Sequence, residues 1–237
     1  NKIALFSDED SISPDDIQQG LYYDNHILSV FGALAEKDYL VKRLFKSNKY
    51  SENGIYQVKL CINGEWITEV IDDLCPCEPF GRPYSSVTKS NDLWLFILMK
   101  AVAKAYGSYY NLTLDFIPNF FHILTGCPTF YFKINNKEQE MMDILFKNVE
   151  EKKYFVVALS KNYDEELQED RNNDDTNAIT TSNFGYTIVS IKKNKQENLI
   201  ILRKIWNDPK IDENVKYYAD NFLREHSEMV TYFQKDL

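Results

Sequence analysis

The sequence predicts an α+β fold, with helices concentrated in its first half and strands in its second. Three observations carry this expectation. Ile27, Leu28, Phe31 and Leu34, then Leu40, Val41 and Leu44, recur at helical spacing. The run "NDLWLFILMKAVAKAYGSYYNL" is too long and too evenly apolar for a strand, and it fits a central buried helix. Three runs rich in β-branched and aromatic residues, "YFVVALS", "FGYTIVSI" and "LIILRKIW", follow only later. The expected division is a helical lobe over residues 1–127 and a β-rich lobe over 128–237.

Taken in order, the lead "SDEDSISPDD" is rich in turn formers. A helix is expected from about residue 26 to 36, with a break near Lys37 before a second helix. In "GIYQVKLCINGEWITEVIDD", Ile55, Val58, Leu60 and Ile62 form an extended run. Asn63-Gly64 then marks a tight turn, and Trp66, Ile67, Val70 and Ile71 return as a second strand. "CPCEPFGRPYSS" is a loop. Asn91 or Asp92 is the expected N-cap of the long apolar helix, and Gly107 lies near its end. "KEQEMMDILFKNVEEKK" reads as one amphipathic helix.

Composition narrows the function. A length of 237 residues suits one large domain or two packed lobes, and 44% hydrophobic residues suffice for a sizeable core. No run of about 18 apolar residues exists, so no membrane span is expected. The net charge of −9 argues against nucleic acid and anionic membranes as partners. Much of that charge lies in "NYDEELQEDRNNDD", which reads as a solvated loop because it lacks the glycine and terminal glutamate of an EF-hand. Cys61, Cys75, Cys77 and Cys127 include one close pair, Cys75-Pro76-Cys77. His26, His122 and His226 are scattered, so zinc ligation is not expected and reduced thiols are. Asn111-Leu112-Thr113 is a chance-level glycosylation triplet. The first residue is Asn, which suggests a segment of a longer polypeptide.

Several words of the sequence, in order, resemble the protease core of the calpains, a papain-like family. "DIQQGLYYDNHILS" is similar to the family's opening, Asp-Ile-x-Gln-Gly-x-x-Gly-Asp-Cys-Trp-Leu-Leu. "NGEWITEVIDDLCP" is similar to its Gly-Glu-Trp hairpin followed by Asp-Asp, and "SNDLWLFILMKAVAKAYGSY" to its Trp…Lys-Ala-x-Ala-Lys helix. "LTGCP" stands where the family has a Thr-Gly-Gly lobe junction. "NFGYTIVSI" and "LIILRKIWND" stand where it has Gly-His-Ala-Tyr and Arg-Asn-Pro-Trp-Gly. The resemblance implies a two-lobed papain-like fold with a helical N-terminal lobe and an antiparallel-β C-terminal lobe.

It also implies a cysteine, histidine and asparagine triad, and here the triad positions carry other residues. The nucleophile position falls on Asn25, the imidazole position on Phe184 and the orienting position on Lys204. A carboxamide nitrogen is no thiolate, a phenyl ring moves no proton, and an ammonium cannot accept from a ring N–H. Gln19 matches the oxyanion donor and Trp206 the shielding indole. His26 follows the nucleophile position but is expected to point elsewhere along its helix. The family binds calcium. Its helical-lobe carboxylate corresponds to Asp16, but the partner position falls near His122, and imidazole is a poor calcium ligand.

The resulting expectation is a catalytically inactive, calpain-like module with no metal or other cofactor, residual calcium binding not being expected. Its role would be structural or protein-binding within a larger polypeptide, in the cytoplasm, with cytoskeletal or ciliary assemblies as the candidate setting. Two alternatives stand beside it: a peptide-binding module using the inert cleft, and a calcium-dependent peptidase with a displaced nucleophile.

Overall fold

The computed structural model describes residues 3–7, 12–22, 25–112, 117–133, 138–151, 154–159, 185–193, 198–203, 205, 214–218 and 228–232. The chain separates into two compact units. One comprises Asn1–Pro128 with Ile205–Asn207, the other Thr129–Lys204 with Asp208–Leu237. Helices and antiparallel sheets are both present, as the α+β expectation requires.

The first unit starts with a short 3-10 turn at Pro14–Asp16 and strand β1 (Ile17–Gln18), then α1 (Asn25–Ala35) and α2 (Asp38–Lys42). Ile27, Leu28, Val30, Phe31 and Leu34 of α1 are fully buried. The break at Lys37 is a turn in extended geometry (φ −135°, ψ 93°), closed by the Lys37 N–H donating to Leu34 O. Strands β2 (Ile55–Ile62) and β3 (Glu65–Asp72) form the hairpin that the Asn63-Gly64 turn predicts. Asn63 and Gly64 both take positive φ (51° and 84°), as a two-residue hairpin turn demands. Strand β4 (Val87–Thr88) pairs with β1.

Helix α3 (Trp94–Ala105) is the centre of this unit. Trp94 to Met99 and Ala101 to Ala103 are buried, so apolar packing surrounds nearly the whole helix. Its two polar exits are Lys100 and Lys104, four residues apart on one face. Lys100 Nζ donates to Asp72 Oδ1 at 2.5 Å and to Leu74 O at 2.8 Å. Lys104 Nζ reaches Glu69 Oε2 at 3.0 Å and Val70 O at 3.1 Å. The hairpin's outer strand is thereby laced to the helix.

The start of α3 departs from the expected cap. Neither Asn91 nor Asp92 caps it: Leu93 occupies the N-cap without a side-chain bond, and Asn91 lies at φ 68°. The N-terminal segment satisfies the helix start instead. Leu93 N–H donates to Ala4 O (2.9 Å) and Trp94 N–H to Leu5 O (3.2 Å). The Asp92 carboxylate turns to Ser7, accepting from its N–H at 2.9 Å and its hydroxyl at 2.7 Å. Gly107 ends the helix at φ 86°, and a short α4 (Tyr109–Leu112) follows.

Helix α5 (Ile117–Thr125) was not anticipated. In retrospect Ile117, Phe120, Phe121 and Leu124 hold the i, i+3, i+4, i+7 pattern, and all four are fully buried. Pro118 obscures the signal, yet proline is tolerated in a first turn, where the N–H has no intrahelical partner. Gly126 ends α5 at φ 71°, with its N–H donating to His122 O.

The second unit contains β5 (Thr129–Lys133), α6 (Glu138–Phe146), β6 (Phe155–Leu159), β7 (Gly185–Lys193), β8 (Asn198–Arg203), β9 (Asn214–Tyr218) and β10 (Glu228–Tyr232). Among the described residues the strands form one antiparallel sheet in the order β5-β10-β6-β7-β8-β9. The three anticipated strands are its β6, β7 and β8, while β5, β9 and β10 were not foreseen. The single long helix expected over "KEQEMMDILFKNVEEKK" is α6 followed by a wider π-turn at Lys147–Glu151. That turn accompanies a contact to the sheet: Glu150 Oε1 accepts the Ile191 N–H at 2.7 Å, just past a β-bulge between Ile188 and Ser190.

Two outcomes follow. Leu98→Ala, in the buried face of α3, lowers unfolding stability by about 2–5 kcal/mol, whereas Leu74→Ala, at a side chain 74% exposed, changes it by less than about 0.5 kcal/mol; chemical denaturation of the two variants tests this. The Lys100 ammonium holds the Asp72 carboxyl below its ordinary value, chiefly through their hydrogen bond. A depressed folded-state value means that the contribution is present above the unfolded value, near 3.9, and is lost as pH falls through the folded one. Asp72 is largely exposed, so the contribution is small, about 0.2–1 kcal/mol. Asp72→Asn is therefore slightly less stable than the parent at pH 7, and the gap closes in acid.

Candidate functional site

The residues that precede α1 are held by a short list of interactions with the segment around β4. Gly20 N–H donates to Ser86 Oγ at 3.2 Å, and the Leu21 and Tyr22 N–H groups both donate to Tyr84 O, at 2.9 and 3.0 Å. A Cβ on Gly20 would lie 2.3 Å from Ser85 O, so no other residue fits there without moving backbone. Tyr22 stacks on Tyr109 with ring centroids 5.4 Å apart and packs at a tilt on Tyr84. Burial pushes the Tyr109 phenol up to about 12, so it stays neutral and donor-capable. Ser85 and Ser86 are fully buried. The sequence reading missed Tyr22, Tyr84, Tyr109 and Ser86. The "GRPYSS" run carried the available signal, since small hydroxyl residues after a Pro/Gly loop suit a close backbone approach.

This cradle delivers Gln19 to the start of α1. Asn25 is the first residue of the helix and only 8% exposed. Gln19 Nε2 donates to Asn25 Oδ1 at 2.5 Å. The two positions singled out as oxyanion donor and nucleophile are thus brought together, as an amide pair. His26 is half-buried on the next position of α1, and its carbonyl accepts from the Ser29 hydroxyl. Phe184, Lys204 and Trp206 lie outside the described residues. Their sequence neighbours are described: β7 and β8 pair with Thr187 opposite Arg203.

The two positions singled out for calcium are occupied by other contacts. The Asp16 carboxylate accepts the Ser90 N–H at 2.8 Å on one oxygen and the Ser90 hydroxyl at 2.5 Å on the other. His122, on α5, sets Nδ1 3.4 Å from Cys127 O and lines a cavity of about 490 Å³ with Cys61, Asn63, Tyr106 and Asn119. Among the described residues no group of three His, Cys, Asp or Glu side chains is placed to hold a metal.

None of the cysteines is disulfide-bonded, and none lies at the helix start. Cys61 is buried on β2. Burial, reinforced by Cys77, pushes the Cys75 thiol up to about 11. A thiol so raised is not an activated thiolate at neutral pH.

A family model for calpain family cysteine proteases matches residues 1–216. The chain belongs to that family. It is similar to the calpain-type cysteine protease ADL1 of Oryza sativa subsp. japonica, with 39% identity over 124 residues, 52% of this chain and 6% of the relative. The calpain-type cysteine protease DEK1 of Arabidopsis thaliana is 38% identical over 124 residues, again 52% of this chain and 6% of the relative. The human calpain-1 catalytic subunit is 28% identical over 144 residues, 60% of this chain and 20% of that protein. This calpain-family chain therefore spans a small part of the length of these relatives. No helix among the described residues is long and apolar enough to cross a membrane.

The contact between Gln19 and Asn25 gives a measurable coupling. Gln19→Ala leaves the buried Asn25 oxygen without its donor and costs about 1–3 kcal/mol of stability. In a double-mutant cycle with Asn25→Ala the two losses are not additive, because each single change already breaks the bond. Strict additivity by denaturant unfolding would mean that the amides do not interact.

Proposed function

We propose that this domain is a catalytically inactive member of the calpain family, a pseudoprotease that serves as a structural or protein-binding module of a larger polypeptide. The observation that carries the reading is the amide pair at the head of α1. Cysteine-protease chemistry needs a thiolate at this point, held ionised by a helix N-terminus and an imidazole, and a free donor aimed at the developing oxyanion. Asn25 supplies no nucleophile, and it takes one of the two Gln19 N–H donors as well. By the family correspondence Phe184 and Lys204 replace the other two members of the triad, so the base and its orienting group are missing together.

The same reading takes the two units as the two lobes of a papain-like core, with residues 1–127 and 128–237 in the roles of the family's first and second protease lobes. It takes calcium to be dispensable: both Asp16 oxygens already accept hydrogen bonds from Ser90, and a nitrogen ligand at His122 suits calcium poorly. The partners are proteins, and cytoskeletal or ciliary structures in the cytoplasm are the setting we propose to search first. The displaced-nucleophile alternative finds little chemical support in a buried Cys61 and a Cys75 thiol held protonated.

The test is turnover. The purified chain, with and without calcium, hydrolyses neither peptide nor casein substrates above blank, and a thiol-directed covalent protease probe labels no residue at the cleft. The triple variant Asn25→Cys, Phe184→His, Lys204→Asn also gives little activity, because reacting groups about 1 Å out of place lose about 100-fold in rate. Hydrolysis by the unmodified chain that one substitution abolishes would overturn the pseudoprotease reading. Strong calcium-dependent proteolysis by the triple variant would instead reveal a still preorganised cleft and favour peptide binding by it.

A further inference from the structure

The loop that joins β3 to β4 carries the one close cysteine pair of the chain, Cys75-Pro76-Cys77. The Cys77 S–H donates to Cys75 O at 3.5 Å and the Cys75 S–H to Pro76 O at 3.8 Å. Cys77 is exposed and Cys75 half-buried, and both are free. The loop is fixed on each side of the pair. Leu74 O accepts from Lys100 Nζ at 2.8 Å, Pro76 O accepts from the Tyr84 N–H at 3.0 Å, and Cys77 bridges to Pro83. Residues two apart in a chain cannot separate their Cα atoms by more than about 7 Å, the upper end of what a disulfide spans. The span is therefore short enough, so closure needs only a local rearrangement of the two thiols away from their carbonyl partners. The other two cysteines differ: Cys61 is buried within a strand, and Cys127 donates to Thr125 O at the end of α5.

We propose that Cys75 and Cys77 are a redox-active dithiol that closes reversibly to a disulfide by exchange with a low-molecular-weight disulfide such as oxidised glutathione. The exposed Cys77 is the entry thiol. Its thiolate attacks one sulfur of the small disulfide, forms a mixed disulfide and expels one small thiolate. The Cys75 thiolate then attacks the Cys77 sulfur, closes the loop disulfide and expels the second. The two protein thiols lose two electrons and two protons in all, and the small disulfide becomes two thiols. Burial holds Cys75 protonated at rest, so it does not compete for the first attack, and its proton passes to solvent as it makes the second. A disulfide across so short a span is strained and exposed, which places it among readily reduced, exchangeable disulfides rather than structural ones.

The experiment equilibrates the purified chain with mixtures of reduced and oxidised glutathione, quenches with acid, alkylates the remaining thiols and reads the product by intact-mass and peptide mass spectrometry. The expected product is lighter than the reduced chain by two hydrogens, maps to the peptide containing Cys75 and Cys77, and is reversed by dithiothreitol. Cys75→Ser stops at a glutathione adduct on Cys77, and Cys77→Ser gives no loop disulfide. The Cys61→Ser, Cys127→Ser double variant behaves like the parent, and peptide mapping of the parent decides the matter even where that variant folds poorly. The proposal is overturned by the absence of the two-hydrogen loss across the whole series, by its mapping to Cys61 or Cys127, or by a Cys75→Ser protein that takes up no glutathione on Cys77.

Discussion

The burial of α3 is the constraint on which the rest of the first unit depends. A helix enclosed on nearly every side has few places to put a charge, and this one has two, Lys100 and Lys104. Their ammonium groups have to reach acceptors at the edge of the core. β3 supplies these as backbone carbonyls and the carboxylates of Glu69 and Asp72. The lysines therefore fix how the hairpin lies against the helix, and Leu74 O carries the attachment into the 74–84 loop. At its far end that loop offers Tyr84 O to two N–H groups of the segment leading into α1. One chain of contacts thus runs from the lysines of a buried helix to the head of α1 at Asn25.

The same chain of contacts is independent of the residue that begins α1. Every interaction that seats residues 20–22 is made by backbone, by the Ser86 hydroxyl or by tyrosine rings. None involves the side chain at position 25. The cradle contacts themselves therefore place no requirement on the chemistry of that side chain.

Much of this was legible in the sequence because its signals are local. Periodicity gave α1, α2 and α3, and the Asn63-Gly64 turn gave the hairpin, since a two-residue turn with positive φ has few chemical solutions. The order of the words Glu-Trp, Asp-Asp and Lys-Ala-x-Ala-Lys carried the resemblance, and the structure gives that order a physical sense, since Asp72 and Lys100 bind each other. What stayed hidden was non-local. The start of α3 is satisfied by Ala4 and Leu5, some ninety residues earlier, so no local cap could be read. α5 hid behind Pro118. β5, β9 and β10 gain their sheet partners far along the chain: β10 sits between β5 and β6, a pairing that no local pattern encodes. At the candidate site, Gln19 and Asn25 were legible as positions. Their mutual hydrogen bond was not, because it depends on the turn between them.

That hydrogen bond also bears on what a thiol would do in place of the carboxamide. Asn25 Oδ1 now takes one Gln19 Nε2–H at a nearly buried position, so the oxygen and that donor are matched. A cysteine at 25 offers only a weak sulfur acceptor, and Gln19 would lose most of that bond. In a working site that loss is useful, since a donor without a resting partner is free to meet the oxyanion as it forms, and its desolvation is repaid in the transition state. In this chain one of the two Gln19 N–H donors is engaged at rest, which stabilises the ground state. On the reading proposed above, the arrangement that makes the head of α1 part of the core also engages a donor that charge stabilisation would need.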